Sequence, residues 1–303
     1  MEVLIGIVQL LLIVILAPGV NAVIHKTKCL IRGQKGPSIL QPYRDIYKLL
    51  NKRSVISDTA SWISRFAPYI IFSVSVVAAA FIPVFSSKTL FHFSSDVIGF
   101  TYLMALGTLF LTLYGLDQGS AFGGLGSSRE VTIAALAEPA MMIAIFTVCI
   151  MNGTSSISEI FTKLSVHPLQ AFSVSSVFSL LALLMVAIAE SARIPVDNPE
   201  THLELTMVHE AMILEASGRD LALIELGSLI KQAIFISFIA SAIFPISGLL
   251  GFIWYLLKVF SIAILIGFIE ISNAKLRFFR VPDFLAVAFT LSVISLIVHY
   301  LEV

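Results

Sequence analysis

Apolar residues in this chain gather into eight long runs, at residues 3–24, 66–85, 97–116, 131–151, 169–190, 221–244, 249–272 and 284–301, with polar residues concentrated between them. A bilayer core about 30 Å thick is crossed by about 20 helical residues, so each run predicts a transmembrane helix. The pattern therefore reads as an all-α polytopic membrane protein with about eight spans, a single integral membrane domain over 1–303. Composition agrees: the 303 residues are 58% hydrophobic and 13% charged, with a mean hydropathy of +0.97, against about 25% charge in soluble domains. Eight spans leave only short loops, and no sizeable soluble domain fits.

Basic residues are distributed unevenly. The first, third, fifth and seventh loops carry fifteen of the nineteen Lys and Arg residues, nine of them in the first loop. The positive-inside rule places these odd loops in the cytoplasm and both termini outside. Glu2 precedes the first run while Lys26, Lys28 and Arg32 follow it, the reverse of a secretory signal, so the run is expected to be a retained helix. Within the first loop, 25–65, the residues Ile39, Leu40, Tyr43, Ile46, Tyr47 and Leu50 recur at helical spacing, with Arg44 and Lys48 one turn apart on the other side. That pattern predicts an amphipathic helix at the membrane interface, lying on lipid head groups or docking a cytoplasmic partner.

A charge inside a bilayer costs at least about 2.5–3.5 kcal/mol, so acids within apolar runs face protein or water. Glu138, followed by Pro139, interrupts the fourth run; Glu190 closes the fifth; Glu225 and Lys231 lie in the sixth, and Lys258 and Glu270 in the seventh. The 36 residues 190–225 hold eight of the nineteen acids: Glu190, Asp197, Glu200, Glu204, Glu210, Glu215, Asp220 and Glu225. Only Arg193 and Arg219 offset them. Pro195 and Pro199 predict a break, and 201–215 reads as a helix on which His202 and His209 share a face. Apolar residues interleave these acids and imply partial burial. Crowded, desolvated carboxylates raise one another's pKa, and with histidines between them can pass protons near neutrality. The acidic loop, 190–220, is thus a candidate proton relay or polar cavity. Glu138, Glu225, Lys231, Lys258 and Glu270 would extend it across the membrane, or tie helices together by hydrogen bonds.

Other chemistry is disfavoured. Nineteen basic and nineteen acidic residues cancel, which argues against nucleic acid as a partner. Cys29 and Cys149 are the only cysteines, too few for a disulfide scaffold or a zinc or iron–sulfur site, so any redox centre must belong to a partner. Gly119, Gly123, Gly124 and Gly126, with neighbouring serines, suggest a flexible loop ahead of Arg129, yet match no phosphate-binding fingerprint. The serines and histidines form no hydrolase motif.

Three stretches resemble a known family, the membrane subunit shared by respiratory complex I (subunit 1) and complex I-related membrane-bound [NiFe]-hydrogenases. RGQKGPSILQP from Arg32 is similar to the family's first-loop signature, Arg129 with Glu138 to the spacing near its quinone-site helix, and ESARIPVDNPE from Glu190 to its most characteristic loop. THLELTMVHEAMILE from Thr201 and KLRFFRVPDF from Lys275 resemble the formate hydrogenlyase and hydrogenase-4 branch more than the quinone-reducing one. Asn198-Pro199, His202 and a longer helix to Glu215 mark the departure.

The resemblance implies a membrane anchor in a prokaryotic plasma membrane, beneath hydrogenase large and small subunits and an iron–sulfur subunit, with antiporter-like membrane subunits alongside. It implies that this chain binds no cofactor, the [NiFe] centre and iron–sulfur clusters lying on partners. Arg32, Lys35, Arg44, Lys48, Arg129, Arg193, Arg277 and Arg280 would dock the soluble arm. The proton path would run through Glu138, Glu190, Asp197, Glu200, His202, Glu204, His209, Glu210, Glu215, Glu225, Lys231, Lys258 and Glu270. Competing readings are a quinone-site subunit of a dehydrogenase, the same arm on a soluble module without nickel, and a free-standing ion transporter.

Overall fold

The computed structural model describes residues 2–57, 60–91, 96–198, 207–246 and 248–302. Eleven α-helices are found among them: α1 Glu2–Ile31, α2 Gln41–Leu50, α3 Trp62–Ala79, α4 Asp96–Asp117, α5 Ala121–Asn152, α6 Ile157–Val166, α7 Val174–Glu190, α8 His209–Ile213, α9 Gly218–Ala242, α10 Leu249–Ser272 and α11 Val281–Glu302. Seven of them, α1, α3, α4, α5, α9, α10 and α11, are long and apolar enough to cross a membrane. The eighth expected span is α7, whose 17 residues lie at the short end of the spanning range. The chain is a multi-pass membrane protein.

The helices overrun the apolar runs because charged residues at their ends turn into the bundle. α1 continues to Ile31 with Lys28 buried, and α5 starts ten residues before its run, with Glu130 buried. The glycine tract, expected as a flexible loop, forms the first turns of α5 from Gly123 onward, with Gly119 in the turn before it. Ser120 caps that helix, its Oγ accepting from the Gly123 N–H at 3.1 Å. A Cβ on Gly123 would lie 2.3 Å from the Gly115 carbonyl oxygen, and one on Gly126 2.8 Å from that of Val208. Glycine here permits α5 to press against α4 and the loop before α8.

α9 is the central element, packed on α1, α2, α3, α7 and α10. α11 lies outermost among the long helices, against α5 and α7, with rows of exposed apolar residues such as Val287, Ile294 and Ile297. Because successive spans alternate in direction, the four odd loops meet at one end of the bundle. Val55 N–H donates to Ser217 Oγ at 2.9 Å and Arg219 Nε to the Leu50 carbonyl at 3.2 Å, joining the first loop to the fifth. Arg129 Nη1 donates to the Met207 carbonyl at 2.9 Å while its guanidinium stands 5.4 Å from the Phe278 ring centroid, adding the third and seventh.

The amphipathic helix is α2. Ile46 is buried toward the bundle, Tyr43 Oη donates to the Ile15 carbonyl at 2.6 Å, and Arg44, Tyr47 and Lys48 are exposed. The helix expected over 201–215 is shorter where it is described: only α8, from His209, is helical, and 199–206 lie outside the described residues.

Candidate functional site

Three groups of buried charges lie between the loop end and the middle of the bundle, where Lys231 and Thr108 stand near the midpoints of α9 and α4. The first joins four elements. Glu270 on α10 accepts from Lys28 Nζ on α1 at 2.8 Å and from Arg193 Nη1, in the loop after α7, at 3.2 Å. Arg193 Nη2 also donates to Asn21 Oδ1 and, at 3.1 Å, to Gln232 Oε1 on α9. All three charged side chains are almost wholly buried. Such ions persist only when paired and hydrogen-bonded, and this group is both.

In the second, Glu190 at the end of α7 pairs through Oε2 with Lys231 on α9, and Lys231 Nζ also donates to Thr108 Oγ1 on α4 at 2.8 Å. Glu190 Oε1 is buried and has no hydrogen-bond partner among the described residues. Glu130 on α5 is buried within electrostatic reach of Glu190, Lys231 and Asp197. Thr108 also borders a groove of about 740 Å³ between α4 and α5 that contains the half-buried Glu138.

The third is centred on Asp197, which is 2% exposed. Its Oδ1 pairs with Lys275 Nζ at 2.6 Å, and its Oδ2 accepts from the Val208 and His209 N–H groups at 3.2 and 3.1 Å. The carboxylate therefore holds the start of α8, which is why this helix begins at His209. The His209 ring, 3.3 Å through Nε2 from Ser228 Oγ, is half-buried. Burial pushes its pKa down to about 4; Asp197 opposes that shift and Lys231 adds to it. The imidazole is neutral at pH 7.

A cavity of about 370 Å³ lies beside the first group, between α1, α2 and α9, and includes Asp45, His209, Glu210 and Glu225.

The expected path residues Glu190, Asp197, His209, Glu210, Glu225, Lys231 and Glu270 are thus gathered at the loop half of the bundle. Glu138 stands apart in its groove, and Glu215 is exposed. Lys258 is at the far end, where its Nζ donates to the Ile243 and Phe244 carbonyls at 2.7 and 3.3 Å and closes the C-terminus of α9. Glu200, His202 and Glu204 lie outside the described residues.

Of the expected docking residues, Arg32, Lys35, Arg44, Lys48, Arg277 and Arg280 are exposed at the loop end, whereas Arg129 and Arg193 turn inward. The sequence reading missed Lys28, Asn21, Glu130 and Gln232 as members of the site. For Asn21 and Gln232, a carboxamide inside an apolar run was the available signal. Among the described residues, no group of three or more His, Cys, Asp or Glu side chains converges as for a metal ion.

Comparison with known proteins matches this architecture over its full length. A family model described as NADH dehydrogenase matches residues 3–300. The chain is 29% identical to hydrogenase-4 component C of Escherichia coli (strain K12), over 97% of this chain and 94% of that protein. It is 29% identical to formate hydrogenlyase subunit 4 of the same organism, over 91% and 92%, and 29% identical to an NADH-quinone oxidoreductase subunit of Syntrophotalea carbinolica, over 81% and 77%. A chain of the membrane-bound sulfane sulfur reductase, an archaeal respiratory membrane complex, has the same fold, with a TM-score of 0.81 at 17% identity over 98% of this chain and 99% of that one. Matched over residues 3–300 and along nearly the whole length of these relatives, the chain belongs to the NADH dehydrogenase family, that of complex I subunit 1, and is a membrane subunit of a complex I-like complex.

Proposed function

We propose that this chain is the membrane anchor of a complex I-related membrane-bound hydrogenase of the formate hydrogenlyase or hydrogenase-4 type, and that it couples electron transfer in the docked arm to proton or sodium movement. The two E. coli relatives, matched over nearly their whole length, support the hydrogenase assignment. In this reading the exposed basic residues of the loop end meet the large, small and iron–sulfur subunits, which carry the [NiFe] centre and the clusters. Antiporter-like subunits lie alongside in the prokaryotic plasma membrane.

The observation that carries the coupling role is the split environment of Glu190. One carboxylate oxygen is held by Lys231 and the other is buried with no hydrogen-bond partner among the described residues. A buried acceptor left open is a place for a proton to land. Asp197 supplies the link to the arm. Its partners come from the seventh loop and the start of α8, so displacement of Lys275 by docking or turnover loosens α8 and shifts the neutral His209 against Ser228. Protonating Glu190 releases Lys231, which is then drawn toward Glu130 and Glu138, the acids on α5. Glu200, His202 and Glu204 complete the path in this proposal.

The test is to purify the tagged assembly in mild detergent and measure nickel, iron and hydrogen-dependent dye reduction together. All three co-purifying is the expected result, and their absence from an intact assembly refutes the hydrogenase reading. A second reading, a quinone-site subunit, draws on the likeness to the NADH-quinone oxidoreductase relative and on the cavity beside Arg193; iron without nickel and quinone-dependent turnover would favour it.

A further inference from the structure

α1 consists of two parts that are anchored separately. The far part is fixed by Gln9, whose side chain accepts from the Val84, Phe85 and Ser86 N–H groups and donates to the Lys88 carbonyl, and by Glu2, which pairs with Lys88. The loop part is fixed by Asn21, which accepts from Arg193, and by Lys28, which pairs with Glu270. α10 presses on the loop part as well: a Cβ on Gly267 would lie 3.2 Å from the Ile24 carbonyl.

Between the two parts stand Pro18 and Gly19, both buried. Pro18 has no N–H to offer the Val14 carbonyl one turn back, so the helical ladder lacks a rung there. Glycine is a poor helix former, and the two in succession make this the natural bending point of a 30-residue helix. A side chain from α2 closes the joint. Tyr43 Oη donates to the Ile15 carbonyl at 2.6 Å and accepts from the Gly19 backbone N–H. Residues 15 and 19 form the rung next to the missing one, and the hydroxyl answers both of its groups. Gly19 is what admits it, since a Cβ there would lie 2.8 Å from Tyr43 Oη. An interfacial tyrosine can satisfy its hydroxyl with water or head groups; directing it onto two backbone groups of α1 ties α2 to the joint.

We propose that the Pro18-Gly19 step is a hinge in α1 and that Tyr43 is its pin, so that the position of α2 sets the angle at which the loop part presents Asn21 and Lys28 to Arg193 and Glu270. Tyr43 and Ile46 lie three residues apart on the side of α2 turned to the bundle, while Arg44, Tyr47 and Lys48 remain exposed. A partner that grips those three residues moves Tyr43, and through the hinge it moves a buried ion group built from α1, α10 and the loop after α7. The pin does not depend on what the partner is; its use as a signal rests on the docked arm of the proposed function.

The test is hydrogen exchange followed by mass spectrometry on the purified complex, with and without its soluble arm. Tyr43→Phe removes the pin and keeps the ring. Amides of 15–22 are expected to exchange about fivefold faster in this variant, the scale of one hydrogen bond, with those of 2–11 unchanged. Pro18→Ala restores the missing rung and is expected to slow them. In the wild type, removing the arm should speed 15–22 by a similar factor, and in Tyr43→Phe it should add little. Unaltered exchange over 15–22 in Tyr43→Phe overturns the pin, and in Pro18→Ala it overturns the hinge. Protection of α2 by the arm with no change at 15–22 overturns the transmission and leaves docking intact. No protection of α2 overturns docking at this helix, and the two variants still decide the hinge. Should Tyr43→Phe fail to assemble, Pro18→Ala and the wild-type comparison decide.

Discussion

The two ends of the bundle spend their buried polar groups in opposite ways. At the far end, side chains close off backbone. Gln9 Oε1 accepts from the Val84, Phe85 and Ser86 N–H groups while its Nε2 donates to the Lys88 carbonyl. Asp96 accepts from Ser156 Oγ and the Ile157 N–H at the start of α6, and Lys163 and Lys258 donate to carbonyls where α5 and α9 finish. At the loop end, buried charges face one another: Lys28 and Arg193 on Glu270, Lys231 on Glu190, Lys275 on Asp197. Backbone that must be satisfied inside a membrane explains the first set. It does not explain the ion pairs of the second, whose members come from different helices and loops, although Asp197 also closes the start of α8; unmet buried atoms occur at both ends, Asn152 Oδ1 at the far one and Glu190 Oε1 and Gln232 Nε2 toward the other. Polar groups that only complete a helix are structural; buried charges that answer one another across the fold can be redistributed by a proton.

The sharpest way to break this contrast is Glu270→Ala, which strips one carboxylate from two buried cations. Loss of a partner from a buried pair costs about 3–5 kcal/mol. We expect the largest fall in thermal stability of the purified complex among single substitutions here, with Glu270→Asp intermediate. Glu190→Gln keeps a hydrogen-bonding group opposite Lys231 but cannot accept the proton. The complex should assemble, while ion movement per electron drops more than about tenfold, the scale of losing one proton-transfer group.

At the far end, Asp96→Ala leaves Ser156 and the Ile157 N–H without their acceptor and should cost about 1–3 kcal/mol in thermal stability. Ion movement per electron in the surviving complex should be unchanged, and a coupling defect in this variant would erase the distinction between the ends. His209 gives a smaller, pH-dependent effect. Its folded pKa of about 4 lies below the unfolded value of about 6.5. The neutral ring therefore contributes stability that is present above pH 6.5 and lost as the pH falls toward 4. Melting curves across that window should decline more steeply for the wild type than for His209→Gln. Lys258→Met, which removes only a donor to two helix-end carbonyls, should lower stability by about 1 kcal/mol and leave coupling intact.

Much of the fold was legible in the chain. Eight apolar runs became seven long helices and the short α7, and the charge asymmetry foretold that the odd loops would share one end. The acids of 190–225 and the lone Glu270 and Lys231 marked the site because a bilayer tolerates no idle charge. What stayed hidden was partnership. Arg193 meets Asn21 from 172 residues away and Glu270 from 77, separations that no local periodicity encodes. Lys28 and Glu130 look like loop residues in the sequence because an apolar run stops where charge begins; in the fold the helices carry those charges inward. The glycines after Gly119 suggested looseness, but Gly123 is required by the close approach of the Gly115 carbonyl and Gly126 by that of Val208. Lys258 shows the converse: a lysine in an apolar run need not belong to an ion path when carbonyls at a helix end can hold it.

The central claim is that the buried charges at the loop end move ions while those at the far end only hold the fold. The most direct measurement is ion translocation per electron in sealed vesicles energised by the complex's own electron donor, comparing wild type, Glu190→Gln and Asp96→Ala. The account predicts that Glu190→Gln collapses the ratio and Asp96→Ala preserves it; an undiminished ratio in assembled Glu190→Gln complex would contradict it.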